Sequence, residues 1–438
     1  MLWREGDKDL TSLKDIMLEM KVFRESPEKI FEDLEKRNLP KDIALSVIDL
    51  DKKWRKLIEK GNRLRAKRNT FSKTIGELKK KGNDFSEVLD EMASLKNDLA
   101  QNEKDTEETL RIRDSERMVV PNLLESEVPV GKDETGNIEL SKKGVINDNK
   151  KWLSHQEILE RINGADLKRA SKITGRRFYF LTGDLARLEL ALINFAVEML
   201  CEKGYSLTTP PFLMNKEAYE GVVDLSDFED VMYKIDEHDL YLIATSEHPI
   251  TARFKNEIIE LKEGPLKFAG ISTNFRREVG AHGISDRGIW RVHQFSKVEQ
   301  VIFCKPEDSR NMHKEILNNA TNIFEKLEMP YRVIDICTGD IGTVAARKFD
   351  IEAWMPSTNQ WKEVVSASNC KSYQSVRLNM RYRTAEGTDF PHTLNSTAVA
   401  TTRALAAILE NNQTDNGDVI IPKVLRKWMG NQEIIEAK

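Results

Sequence analysis

Apolar positions in the first third of the chain recur at alternating spacings of three and four. From Ile43 to Leu78 they fall on Val47, Leu50, Trp54, Leu57, Leu64, Phe71, Ile75 and Leu78, and only Gly61 and Arg68 break the seam. A second register runs through Val88, Met92, Leu95 and Leu99, then Thr106 and Leu110 after a polar step. These spacings predict two amphipathic helices that share a narrow seam. Gly82-Asn83 between them is a reversal signal, and Asp84 with Glu87 three residues on is a helix-start signal. The expected element is an antiparallel two-helix coiled coil with helices of about 30 residues, projecting roughly 45 Å at ~1.5 Å per residue.

After residue 118 the pattern changes. Pro121, Pro129, Gly131 and Gly136 mark 118–150 as a connection. Residues 184–215 begin as a helix with Leu188, Leu190, Leu192, Phe195, Ala196 and Leu200 apolar, stop at Gly204, and continue as a strand entering Pro210-Pro211. Proline cannot donate to a ladder, so that strand belongs at an edge or at a bend. YLIATSEHPI (241–250) reads as extended, with Thr245 and Glu247 on one face. Residues 271–278 and 289–300 read as two strands, and Gly280, Gly283, Asp286 and Gly288 give the 280–288 stretch the composition of a long hairpin loop. Residues 337–356 and 361–383 are strand-rich, with Glu352 on an alternating strand and Arg377, Arg381 and Arg383 crowded near the end. Residues 390–413 read as a strand, a small-residue turn and an apolar helix.

Composition adds a few bounds. A chain of 438 residues predicts two or three domains with ample core. A net charge of −4 means that any nucleic-acid binding must come from a local patch. Such a patch is visible: residues 51–83 carry thirteen Lys/Arg against three Asp/Glu, and residues 84–117 carry five against eleven. The thirteen are Lys52, Lys53, Arg55, Lys56, Lys60, Arg63, Arg65, Lys67, Arg68, Lys73, Lys79, Lys80 and Lys81. A charge run on a helix is commonly a solvated face, but a basic helix on a projecting arm suits a phosphate backbone. Some of these cations are expected to pair with the acidic second helix instead. No apolar run is long enough to span a membrane, and the start lacks the apolar core of a secretory signal. Cys201, Cys304, Cys337 and Cys370 show no zinc-ligand spacing and are expected as buried, reduced thiols. A cytoplasmic enzyme is the default expectation.

The densest chemistry lies in FRREVGAHGISDRGIWRVHQFSKVE (275–299). Alternation places Arg276 and Glu278 on one side, and Arg291, His293 and Phe295 on one side. Arginine forks grip phosphate oxygens, a ring stacks on a base, and a carboxylate accepts from an exocyclic amine. A charged, solvent-facing hairpin is the plainer alternative for such a string. The string resembles motif 2 of class II aminoacyl-tRNA synthetases, in the form found in seryl-tRNA synthetases. The resemblance extends to MLEMKVFRESPEKI (17–30), LRAKRN (64–69) and VVPNLLESEVPVGKDETGN (119–137), and it runs from about Met17 to Met429. Sixteen residues precede it. Residues 184–215 resemble motif 1, Thr245-Ser246-Glu247 the T-x-E element, Glu363-Val364-Val365-Ser366 the E-x-x-S element, and 390–413 motif 3. Ala244 stands where the family often has Pro, and Ala367 where Cys is more common.

The resemblance implies an α+β fold: an N-terminal antiparallel coiled-coil arm (1–118, coiled coil about 44–115), a linker (119–150) and a class II catalytic domain (151–438) built on an antiparallel sheet flanked by helices. It implies a serine–tRNA ligase that makes seryl-adenylate from ATP and serine and passes the seryl group to tRNA(Ser). Charging of tRNA(Sec) with serine is compatible with the same reading. The catalytic residues implied are Arg276, Glu278, Glu363 and Arg403. Serine falls to Thr245, Ser246, Glu247, Glu299 and Thr397. ATP falls to Arg276, Arg277, Glu278, Arg291, Val292, Phe295, Glu363, Val364, Val365, Ser366 and Arg403, and Mg²⁺ to Glu363 and Ser366. The arm is expected to hold tRNA, and motif 1 to form a homodimer. No editing segment is recognised, so the pocket itself is expected to exclude threonine. A carrier-protein ligase of this kind would lack the arm, and a purely structural coiled-coil protein would not explain residues 240–413. An inactive RNA-binding relative should have lost residues such as Arg276, Glu363 or Arg403, and all three are present.

Overall fold

The computed structural model describes residues 20–146, 151–223, 231–278 and 288–438. The chain divides into two compact units, Glu19–Glu35 with Leu39–Val120 and Lys36–Asn38 with Pro121–Lys438.

The first unit is helical. Short helices α1 (Met20–Glu25) and α2 (Pro27–Lys36) precede the long pair α3 (Asp42–Lys80) and α4 (Ser86–Met118). At 39 and 33 residues these two exceed the length expected from the apolar seam. Once nucleated, a helix propagates cheaply through polar turns, and α3 runs on until Gly82 reverses the chain at φ +68°. Asp84 does serve the start of α4, but its carboxylate accepts from the Ser86 amide (3.0 Å) and hydroxyl (2.6 Å) rather than forming a box with Glu87. Gly61, one of the two breaks in the seam, faces Asn102, whose amide donates to the Leu57 carbonyl at 3.1 Å. A Cβ on Gly61 would lie 2.9 Å from that nitrogen. The break is thus a notch for a buried amide, a feature that fixes register in coiled coils.

Near the base of α3, Asp51 is buried and holds three cations: Arg24 (2.8 Å), Arg55 (3.0 Å) and Arg113 (3.1 Å). Burial alone would raise its carboxyl, but the hydrogen bond and charge of Arg24, with the charges of Arg113 and Arg55, hold it below the ordinary 3.8. A depressed carboxyl contributes stability that is present above its unfolded value and lost as pH falls below it. Asp51→Ala is therefore expected to cost about 3 kcal/mol by leaving Arg113 buried with less compensation. Helical ellipticity at 222 nm followed against temperature checks this; an unchanged melt would contradict it.

The second unit is built on an eight-stranded sheet. Its strands are β1 (Ile138–Lys143), β2 (Ser206–Thr208), β3 (Leu266–Phe275), β4 (Gln294–Cys304), β5 (Tyr331–Asp335), β6 (Arg347–Met355), β7 (Gln360–Lys371) and β8 (His392–Ala400). The spatial order is β1-β5-β6-β7-β8-β4-β3-β2. All neighbours are antiparallel except β2 and β3. As its prolines required, the strand before Pro210 lies at the edge. Helices α5 (Gly183–Glu202), α7 (Ser309–Lys326) and α9 (Thr401–Asn411) cover one face. Leu188, Leu192, Ile316, Phe324, Leu405 and Ile408 pack there against Val298, Ile302, Ile351, Val365 and Ala398. Two smaller helices, α6 (Glu247–Ala252) and α8 (Tyr373–Arg377), border the other face.

Four local expectations are corrected. Thr245 and Glu247 do not share an extended segment: Glu247 opens α6, and Thr245 Oγ1 accepts its amide N–H at 3.2 Å. Pro249 falls in the first turn, where its missing N–H is harmless and its fixed φ favours a helix. The hairpin strands lie three to five residues from where the β-branched and aromatic runs placed them. The ladder closes at Phe275–Gln294, and Glu278 sits at φ +47° outside it, while Ile289, Trp290 and Val292 are buried by packing rather than by strand pairing. Residues 279–287, most of the expected loop, lie outside the described residues. Arg377 is helical rather than stranded, its guanidinium donating to the Val223 carbonyl at 2.9 Å. Cys201 is exposed; the other three cysteines are buried.

Candidate active site

The face of the sheet opposite the helical layer lines a cavity of about 430 Å³. Period-two alternation aims Phe295, Lys297 and Glu299 of β4 into it, and Asn395 and Thr397 of β8 beside them. Opposite Glu299 on β3 stands Gly270. A Cβ there would meet Ser246 Oγ at 2.6 Å, so glycine lets the 244–247 segment lie close on the sheet. Ser246 Oγ donates to the Gly270 carbonyl at 3.3 Å, which anchors that segment.

One half of the cavity is acidic. Glu247 Oε1 accepts from Gln374 Nε2 (3.1 Å) and Asn395 Nδ2 (3.0 Å), and Thr397 Oγ1 donates to Glu299 Oε2 at 3.2 Å. Burial pushes the Glu247 carboxyl up to about 7, helped by the charge of Glu299 and opposed by Lys297, Gln374 and Arg276. Two carboxylates with hydroxyls at hand can hold an ammonium and a hydroxyl group.

The other half is cationic and aromatic. The Arg276 guanidinium carbon lies 5.4 Å from the Phe295 ring centre. Burial, then the charge of Arg403, draws the Arg276 value down, against Glu278, Glu363 and Glu299. Arg403 donates to the Glu363 carboxylate (3.2 Å) and backbone carbonyl (3.0 Å) and lies 5.9 Å from the Trp290 ring. Arg291 is 3.8 Å from Glu278. His293 braces the turn: its Nδ1 lies 2.8 Å from the Arg276 carbonyl and 2.9 Å from Tyr233 Oη.

Glu363 and Ser366 are three residues apart, which on a regular strand would face opposite ways. A register shift in the β6–β7 pairing, from Ile351–Val365 to Glu352–Glu363, leaves Val364 as a bulge and turns both toward the cavity. Beside them Asp350, which pairs with Ser366 across the ladder, has a buried Oδ1 without a hydrogen-bond partner. A carboxylate, a hydroxyl and an orphaned acid oxygen form an all-oxygen environment of the type that Mg²⁺ takes.

Of the residues expected at the site, Thr245, Glu247, Arg276, Glu278, Arg291, Val292, Phe295, Glu299, Glu363, Val364, Ser366, Thr397 and Arg403 line the cavity together. Ser246, Arg277 and Val365 fall outside its wall: Ser246 is buried behind it, Arg277 donates its amide to the Val231 carbonyl, and Val365 packs in the core. Sequence reasoning missed Lys297, Asn395, Cys370, Trp290 and the wall segment Ile341–Ala345. Lys297 and Asn395 each sit two residues before an expected ligand on the same strand, so alternation carried the signal for both.

Two family models match the chain: the seryl-tRNA synthetase N-terminal domain over residues 17–124, and the tRNA synthetase class II core domain (G, H, P, S and T) over residues 229–412. The serine–tRNA ligase of Methanospirillum hungatei is 49% identical, covering 96% of this chain and 100% of that protein. The crystal structure of seryl-tRNA synthetase from Pyrococcus horikoshii complexed with ATP has 41% identity and a TM-score of 0.91, over 96% of this chain and 100% of that one. The cytoplasmic serine–tRNA ligase of Naegleria fowleri, in complex with AMP, has 33% identity and a TM-score of 0.87, over 97% and 100%.

Proposed function

We infer how the two halves of the cavity divide the reaction from the premise that the chain belongs to the seryl-tRNA synthetase family and is a serine–tRNA ligase. The observation that carries the division is the meeting, in one cavity, of an acidic pair beside hydroxyls and a cationic, aromatic wall. Serine binds in the acidic half, its ammonium against Glu247 with Thr245 and its hydroxyl against Glu299 and Thr397. ATP lies over Phe295, with Glu278 accepting from its amine. The serine carboxylate attacks the α-phosphorus, pyrophosphate leaves, and a terminal ribose hydroxyl of tRNA then attacks the seryl carbonyl and expels AMP. No side-chain nucleophile is required, so positioning and charge stabilisation supply the rate. Arg276 offsets charge at the α-phosphate, and Arg291 and Arg403 that on the departing phosphates. Mg²⁺, held by Glu363 and Ser366, would add charge neutralisation on the phosphates.

Selectivity follows from the same groups. Alanine would leave Glu299 and Thr397 facing an absent hydroxyl, which is penalised on the order of 10⁴-fold. Transfer of labelled serine, but not threonine, to tRNA in the presence of ATP and Mg²⁺ tests this reading. Threonine turnover near that with serine would contradict it.

The Glu247 value of about 7 has a pH consequence. Protonated Glu247 cannot pair with an ammonium, so KM for serine is expected to rise as pH falls below about 7, approaching tenfold per unit, while KM for ATP changes little. Exchange kinetics at pH 6, 7 and 8 check this, and a flat KM would contradict it.

We further propose a homodimer through α5 and the edge strand β2. Leu190 on α5 is 60% exposed and Leu207 on β2 49% exposed, with Phe212 and Leu213 also open to solvent nearby. Exposed apolar side chains on a helix, on the edge strand that follows it and on the segment after that strand suit a self-complementary contact. Leu190→Glu with Leu207→Glu is expected to yield monomers with at least tenfold lower charging. Sedimentation equilibrium reads the mass, and a monomeric wild type would contradict the assembly.

A further inference from the structure

Lys297 has no part in the scheme above, yet it lines the same cavity. Its Nζ lies 2.5 Å from Glu299 Oε2, and both side chains are nearly sealed from solvent, at 7% and 2% exposure. A lysine this deeply buried is costly unless it serves a fixed partner. A purely structural pair would usually lie in the core, facing no ligand space. Here the pair faces the half of the cavity that also holds Glu247.

The local charge count is informative. Glu247 on α6 and Glu299 on β4 stand close enough for the charge of one to oppose ionisation of the other. His248, next on α6, is driven neutral, to about 3, by burial and by the charges of Lys297 and Arg276. The Cys370 thiol on β7 is held protonated by burial and by the charge of Glu247. Arg276, at the end of β3, is directed toward Phe295 and the phosphate side. In the acidic half, Lys297 is therefore the cation in direct contact with a carboxylate, and Arg276 adds its charge from the phosphate side.

We propose that Lys297 is a positioning residue of the serine pocket: a fixed counter-ion that lets Glu247 and Glu299 stand together as acceptors for the ammonium and hydroxyl of serine at neutral pH. The proposal rests on the reading of this cavity as the serine site. Without the lysine, two buried carboxylates would face each other alone. Such pairs take up a proton, and serine would then have to displace that proton to bind.

The test uses the full-length enzyme and serine-dependent ATP–pyrophosphate exchange, with Lys297→Met as a near-isosteric neutral variant. At pH 7 its KM for serine is expected to rise about fivefold, with KM for ATP within about twofold. The midpoint of the pH dependence of KM for serine should move upward by about one unit, so that raising the pH to 9 recovers most of the affinity. Adding Glu299→Gln removes the second charge of the pair, and the midpoint should return toward the wild-type position even though the hydroxyl contact is weakened. If Lys297→Met is too unstable for kinetics, Lys297→Arg, which keeps the charge, should retain the wild-type midpoint. A serine KM and pH profile unchanged in Lys297→Met, or equal losses for serine and ATP with no shift in midpoint, would overturn the proposal. Absence of serine-dependent exchange in the wild type would instead overturn the underlying reading of the site.

Discussion

Arg276→Ala is expected to lower serine-dependent ATP–pyrophosphate exchange by about 10³-fold while leaving the thermal midpoint near that of the wild type. The magnitude is that of removing a preorganised charge from a water-poor site where negative charge develops. Several features aim this side chain. The β3–β4 ladder ends one residue before it, its amide still donates to the His293 carbonyl at 2.9 Å, and its guanidinium is directed over Phe295. Among the described residues its guanidinium makes a long hydrogen bond to the backbone, to the Ala244 carbonyl at 3.4 Å, so little of the fold depends on the side chain. Arg276→Lys should recover only part of the loss, because an ammonium lacks the planar fork that matches phosphate oxygens. Exchange kinetics decide the matter, and an Arg276→Ala enzyme within tenfold of the wild type would remove Arg276 from the reaction.

The second large effect concerns the arm. Lys56, Lys60, Lys67, Arg68, Lys73 and Lys80 are all solvent-exposed on α3. The expected partnership between the basic and acidic helices is largely absent among the described residues: of the thirteen cations in 51–83, one is seen to pair with an acid of α4, Arg65 with Glu103 at 3.7 Å. The basic face is thus left available, and we propose that it tracks the backbone of tRNA. Changing all six cations to serine is expected to reduce kcat/KM for tRNA by about 10³-fold and to flatten the salt dependence of binding, since each lost phosphate contact removes close to one released counterion. Exchange without tRNA should be unaffected. Filter binding at several salt concentrations separates the cases. An unaltered salt slope would mean that these cations do not meet RNA.

Periodicity made the broad architecture legible. The three-and-four spacing of Val47, Leu50, Trp54 and Leu57 suits a helix pair, and the alternation around Phe295 and Glu299 suits a strand, without showing which of its faces meets ligand space. What escaped notice followed from tertiary context. The bulge at Val364 that turns Glu363 and Ser366 the same way depends on pairing with β6 and leaves no local trace. Glu247 reads as extended because Tyr241, Leu242 and Ile243 precede it, yet Pro249 and the anchor of Ser246 on Gly270 bend the chain into a helix. Gly61 interrupts the seam because Asn102 stands opposite it, a tertiary contact that the local sequence does not show. Ser246 and Arg277 are neighbours of cavity residues in sequence, but Ser246 is tied to the Gly270 carbonyl and the Arg277 amide to the Val231 carbonyl, behind the cavity wall.

The most direct test of the central claim is ATP–pyrophosphate exchange by the wild-type protein with Mg²⁺ and no tRNA, with serine present or omitted and with threonine or alanine in its place. The account predicts exchange that requires serine, falls on the order of 10⁴-fold with alanine, and falls on the order of 10²-fold with threonine. A folded protein that exchanges no pyrophosphate with serine, or exchanges equally with threonine, would contradict it.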